Sequence, residues 1–168
     1  MNEDPIARLK RLLSRLQDLT LMILKGHLLI EEQLDHFLSE LSRAPAELVA
    51  ARLTYSQKLH LVCAITGVKS DVLEFAKALN KVRNSLAHRA DADDLPEQIV
   101  NMLRRFAPDA PARLTARQRV SWLRAQIVCV CGAINGMTDV CRALQANHGL
   151  QPTAARGIMR PPRLKPGR

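Results

Sequence analysis

Apolar residues recur at spacings of three and four along most of the chain, the period of helices that bury one face. Asp4 caps a first segment with Pro5 in its first turn, and Ile6, Leu9, Leu13, Leu16, Leu19 and Ile23 follow in register. The register continues through Ile30, Leu34, Phe37 and Leu41, which predicts one long helix bent near Gly26. Ser42 to Leu53 reads as a connection with some helical tendency. Thr54 then caps a short helix through Tyr55, Lys58, Leu59, Val62 and Ile65 that ends at Gly67. Ser70 caps a fully periodic helix through Val72, Phe75, Ala76, Leu79, Val82 and Leu86, closed by a loop from Ala90 to Asp94. Asp94 opens a brief helix through Ile99, Met102 and Leu103. After a proline-bearing loop from Pro108 to Leu114, Thr115 starts a long final helix toward His148 and Gly149. The expectation is an all-α fold of about five helices, with no internal repeat.

Two stretches depart from simple amphipathicity. Between Leu19 and Ile30 nearly every position is apolar, which predicts burial on several sides, as at a dimer seam. That run is too short for a membrane span and is interrupted by Lys25. Acidic Glu3 and Asp4, with no small-residue cleavage site after them, do not read as a signal peptide either. The second departure is the polar side of the Ser70 helix. At about 100° per residue, Lys77, Lys81, Asn84 and His88 fall within a sector of about 60°, with Arg83 between them and the apolar stripe. A solvated face is the commoner fate of such residues. Here, however, Asn84 and His88 stand four apart, so the amide can orient the imidazole. Arg83 sits where its stem is covered, so its charge must be paired or kept for a partner anion.

The run Leu79, Asn80, Lys81, Val82, Arg83, Asn84, Ser85, Leu86, Ala87, His88 resembles the signature of the HEPN superfamily, an Arg and a polar residue followed by a His. Gly26 to Leu34 resembles the first long helix of those proteins, and with Tyr55 to Leu61 the likeness spans about residues 20 to 90. The resemblance implies a helical bundle that forms a homodimer, with two motifs lining one cleft. It also implies a metal-independent endoribonuclease of toxin or defence type, with no cofactor and no metal. Toxins of this kind that are inactivated at a tyrosine carry it just after the His, whereas Arg89 and Ala90 follow here.

The chemistry can be set against the residues. Metal-free RNA cleavage uses the 2′-hydroxyl as nucleophile and needs a base, an acid and cations for the phosphorane. His88 suits base or acid, and a dimer would supply two such groups. Arg83 would hold the phosphate bidentately, Asn84 would fix the imidazole, and Lys77 and Lys81 would guide the RNA backbone. DNA, lacking the 2′-hydroxyl, would at most bind. Glu31 or Glu32 would hold Arg83 in place as a supporting carboxylate. His27 and Glu31 lie four apart, and a buried His with a local carboxylate accounts for them best.

Composition adjusts this picture at the margins. The 168 residues are 47% hydrophobic, with 7 glycines and 3% aromatics, which favours Leu- and Ala-rich helices. A formal charge of +9 and a pI near 10.0 suit a polyanion such as RNA, and equally serve solubility. Residues 1–150 read as one helical domain. Residues 151–168 hold Arg156, Arg160, Arg163, Lys165 and Arg168, four prolines and no acid, which predicts a disordered basic tail carrying five of the nine net charges. Cys63, Cys129, Cys131 and Cys141 lack zinc-site spacing, and Cys129 and Cys131 point about 200° apart on a helix. They read as buried thiols in a reducing cytoplasm. Glycine-rich phosphate loops, His-Glu zinc motifs and nucleophile elbows are missing.

Three readings of function result. First is the dimeric RNase, for which a cognate antitoxin protein, nucleotidyltransferase-like or other, is a possible partner and a membrane is not. Second is a catalytically silent HEPN-like module that binds RNA or protein. Third is a mannitol-repressor-like transcriptional regulator, to which the run is also similar. Against the third, the helices near Arg104 and Thr115 are separated by a long loop, not the short turn of a helix-turn-helix.

Overall fold

The computed structural model describes residues 5–14, 16–88, 95–106 and 114–147, with side chains outside that set at 5, 6, 88, 95, 96 and 103. The described residues form an all-α fold of seven helices and no strand: α1 (Pro5–Ser14), α2 (Leu19–Leu41), α3 (Pro45–Ala50), α4 (Tyr55–Thr66), α5 (Asp71–His88), α6 (Leu95–Phe106) and α7 (Ala116–Asn147). The basic segment 151–168 and the loops around Asp94 and Pro108 lie outside the described residues.

Two helices more than expected arise at identifiable places. The anticipated long N-terminal helix is cut before Leu19, and α2 runs on through Gly26 as one element. Asp18 is extended (φ −83°, ψ 132°), and its carboxylate accepts from the Leu21 amide at 2.7 Å, starting α2 afresh. In the connection after Ser42, Pro45 opens the six-residue α3, and Arg52 then turns the chain with φ 47°. The other boundaries follow their caps. Thr54 and Gln57 form a capping box at α4, and Gly67 ends that helix in the left-handed conformation at φ 66°. Thr115 and Gln118 satisfy each other's backbone N–H groups in the same way at α7, at 2.8 and 3.2 Å.

The two longest helices, α2 and α7, share the most extensive interface and form the centre of the bundle. Gly26 makes their approach possible, because a Cβ there would overlap the Cδ1 of Ile127. The core fills in with Ile23, Ile30, Leu34 and Phe37 from α2 and Leu123, Ile127 and Ile134 from α7, all closed to solvent. α4 and α5 also pack on α2, and α5 reaches α7 as well. Phe75 of α5 meets Phe106 and Trp122 edge-on at 5.5 and 5.7 Å, fixing α6 and α7 against α5. Arg124 of α7 donates to the Leu16 carbonyl at 2.9 Å and ties down the chain between α1 and α2. By length and composition alone α7 could cross a membrane, yet here Val120, Leu123, Ile127, Val130 and Ile134 are buried in the bundle.

The thiols separate as the helix period requires. Cys131 is buried and its thiol is pushed up to about 12 by burial, while Cys129 is exposed on the opposite side. Cys63 and Cys141 are half-buried, so burial holds fully for only one of the four.

Candidate functional site

α2, the first turn of α4 and the second half of α5 enclose a cleft of about 380 Å³ lined by His27, Glu31, Thr54, Tyr55, Ser56, Asn80, Arg83 and Asn84. Each helix contributes through its period. On α5, Asn80, Arg83 and Asn84 stand at i, i+3 and i+4, and so share one sector of about 100°. On α2, His27 and Glu31 stand at i and i+4 on the side turned toward α4 and α5. The cap at Thr54 starts α4 beside them and puts Tyr55 at the base of the cleft.

His27 is 94% removed from solvent, at 6% relative exposure. Its ring stacks on Tyr55 with centroids 4.2 Å apart and planes 22° from parallel. Tyr55 is itself anchored by its hydroxyl, which donates to the Ala76 carbonyl of α5 at 3.3 Å. His27 Nε2 lies 3.0 Å from Asn80 Oδ1, and Nδ1 lies 3.9 Å from Glu31 Oε2. The local carboxylate expected for this His is therefore the more distant partner, and the amide across the cleft is the nearer one. Burial holds the imidazole below its ordinary 6.5, outweighing the Asn80 hydrogen bond and Glu31, which act upward.

Glu31 is occupied from α4. Lys58 donates to Glu31 Oε1 and to Asp35 Oδ2, both at 2.8 Å. Burial works to lower the Lys58 ammonium, but the hydrogen bonds to Asp35 and Glu31 outweigh it and the net shift is upward. Glu31 thus lines the cleft as a paired carboxylate and holds Lys58, not Arg83. Glu32 is exposed and acts on Cys131 from a different side of α2.

Arg83 is half-buried, and its NH1 donates to Asn84 Oδ1 at 3.2 Å. Among the described residues no carboxylate pairs with it. The two lysines expected beside it do not line the cleft. Lys77 pairs with Glu74 at 2.6 Å, which holds that carboxylate below its usual range and raises the ammonium, and Lys81 is exposed near the same Glu74. His88 is the last residue of α5, and its side chain lies outside the described residues.

Arg83, Asn84 and Glu31 are thus brought together, while Lys77 and Lys81, on the Asn84 side of α5 but nearer its start, and Glu32 do not line the cleft. His27, Asn80 and Tyr55 join the cleft from positions the pattern had assigned to the core or to no role. Chemically, the α5 side of the cleft presents donors: the remaining guanidinium N–H groups and the two amide NH₂ groups, since both amide oxygens already accept. Such a surface suits an oxyanion. Among the described residues no group of three or more His, Cys, Asp or Glu is placed to hold a metal ion. Comparison of the chain with protein-family models, with curated proteins and with solved structures finds no match.

Proposed function

We propose that this protein is a metal-independent endoribonuclease of the HEPN-like kind, acting as a homodimer on RNA. The observation that carries the reading is Arg83, a guanidinium with no carboxylate partner among the described residues, set in a cleft beside Asn80 and Asn84. A half-buried cation is costly to leave uncompensated, and a phosphodiester entering the cleft would compensate it. In the reaction a base takes the 2′-hydroxyl proton, the 2′ oxygen attacks phosphorus, and an acid gives a proton to the departing 5′ oxygen. The products are a 2′,3′-cyclic phosphate and a 5′-hydroxyl. His88, one turn beyond Asn84 on α5, is assigned base or acid, with its counterpart supplied by the partner protomer. Free thiols on the described structure fit a reducing cytoplasm. A toxin or defence role, with a cognate antitoxin, belongs to the same reading.

The test is cleavage of a labelled mixed-sequence RNA in excess chelator by wild type, His88→Ala and Arg83→Ala, with sizing in parallel. The wild-type dimer should cut, and His88→Ala should lose about 10²- to 10⁴-fold, the usual worth of a positioned acid or base, at an unchanged thermal midpoint. Folded wild-type dimers that bind RNA without cutting it would replace the enzyme by an RNA-binding module.

A further inference from the structure

Among the described residues, His27 and Asn80 make the one side-chain hydrogen bond that crosses the cleft from α2 to α5, and it constrains both partners. The imidazole cannot turn freely. It is packed flat on Tyr55, whose hydroxyl is held by α5, and it is closed off from water. With Asn80 Oδ1 facing Nε2, the ring proton must sit on Nε2, because an amide oxygen can only accept. Nδ1 keeps its lone pair, at 3.9 Å from Glu31 Oε2 and beyond hydrogen-bonding reach.

The consequence falls on Asn80. Once its oxygen is turned to His27, its Nδ2 points the other way. That nitrogen has no hydrogen-bond partner among the described residues and is not sealed from solvent. Asn84 is arranged alike, its oxygen accepting from Arg83 and its Nδ2 left over. Three donor groups at i, i+3 and i+4 of one helix then border one cleft.

We infer that Asn80 contacts the RNA phosphate and that His27 is the positioning residue that aims it. The inference rests on the reading of the cleft as the seat of an RNA phosphodiester. It assigns to that seat two residues outside the Arg83 and His88 pattern, and it gives the buried His a purpose beyond packing. His27 moves no proton in this scheme. Its Nε2–H keeps the amide oxygen occupied, so that an acceptor never faces the bound anion.

Binding is measured with a 2′-O-methyl RNA oligonucleotide, which lacks the nucleophile and stays intact, using the full-length chain. Asn80→Asp is the decisive variant. It is nearly isosteric and still offers His27 an acceptor, but its second oxygen confronts the phosphate. Affinity should fall about tenfold or more, as for loss of a hydrogen bond to a charged group, while the thermal midpoint holds. With cleavable RNA the same change should raise KM more than it lowers kcat. Asn80→Ala should weaken binding without altering its salt dependence, whereas Arg83→Ala should flatten that dependence, because only the arginine neutralises a phosphate charge. His27→Gln, which retains an N–H for the amide oxygen, should bind better than His27→Leu.

If Asn80→Asp binds like wild type while Arg83→Ala is weakened, the inference fails and the cleft reading stands. If wild type binds no RNA and Arg83→Ala changes nothing, both fall. Equal binding by His27→Gln, His27→Leu and wild type would remove the positioning role. Should the His27 variants fail to fold, the Asn80 pair decides the contact alone.

Discussion

His27 is a titratable group carried into the core, and acid should expose it. Its folded pKa lies below the ordinary 6.5, chiefly through burial. As pH falls the unfolded chain therefore takes up the proton first, and the His contribution to stability, full above about 6.5, drains away as pH drops through the folded value. Glu31 on the same helix favours the charged ring, while Lys58 from α4 and Arg83 from α5 oppose it. His27→Gln should flatten this limb of the curve, read as thermal midpoint against pH from about 7.5 to about 5. An unchanged slope in that variant would mean that other groups govern the acid limb. The ring's role was only half legible in the sequence. That His27 is buried follows from the apolar run around it, but its nearest polar partner is 53 positions away, and no local spacing points there. Arg83 and Asn84 were legible for the opposite reason: they share a helix, and the helical period alone puts them together. The same period puts Lys77 on the Asn84 side of α5, but Glu74, one turn back, captures its ammonium.

At the scale of elements, capping chemistry decided where the apolar register failed. Leu16 and Leu19 keep the helical spacing unbroken, so nothing in the pattern of apolar residues marks the cut before α2. Asp18, which binds the Leu21 amide, does. Pro45 similarly opens α3 in a segment that reads only as a connection with some helical tendency. Gly26 is the clearest case of a residue whose meaning lies in another helix. It stands in mid-α2, where a glycine weakens a helix, and the helix continues past it to Leu41. Ile127 of α7 fills the space where its side chain would be. Gly26→Ala would gain helix propensity of about 1 kcal/mol and meet an overpacking cost of about 1–3 kcal/mol. A net loss is expected because the overlap involves both Cδ1 and Cγ1 of Ile127, whose β-branched side chain has few helical rotamers with which to give way. A lowered denaturant midpoint at constant slope would report it. Ile127→Ala in the Gly26→Ala background should recover part of the loss, since it vacates the contested space; strict additivity of the two changes would deny the contact.

The whole molecule leaves α2 unfinished. Leu21, Leu24 and Leu28 are 48%, 38% and 59% exposed, although they sit in the most apolar run of the chain. They stand at i, i+3 and i+7, one stripe on the outside of a helix whose inner side already packs on α7. His27 and Glu31 emerge from the same helix within about 60–100° of that stripe, so whatever covers the leucines lies beside the cleft. A second copy meeting the stripe about a two-fold axis would set α2 against α2 and bring both clefts near the seam. The all-apolar run marked this helix as buried on several sides, whereas its inner and outer faces became separable only once α7 was placed. Leu24→Asp with Leu28→Asp tests the assembly. Both side chains are exposed in the protomer, so the thermal midpoint of the isolated chain should change little, while a buried pair of carboxylates would be intolerable at a dimer seam. Sedimentation should show wild-type dimers and variant monomers, and RNA cleavage should fall with the dimer if each site borrows from its partner. A variant that stays dimeric would move the interface elsewhere, and a monomer that cuts as fast as wild type would show that one cleft carries the chemistry by itself.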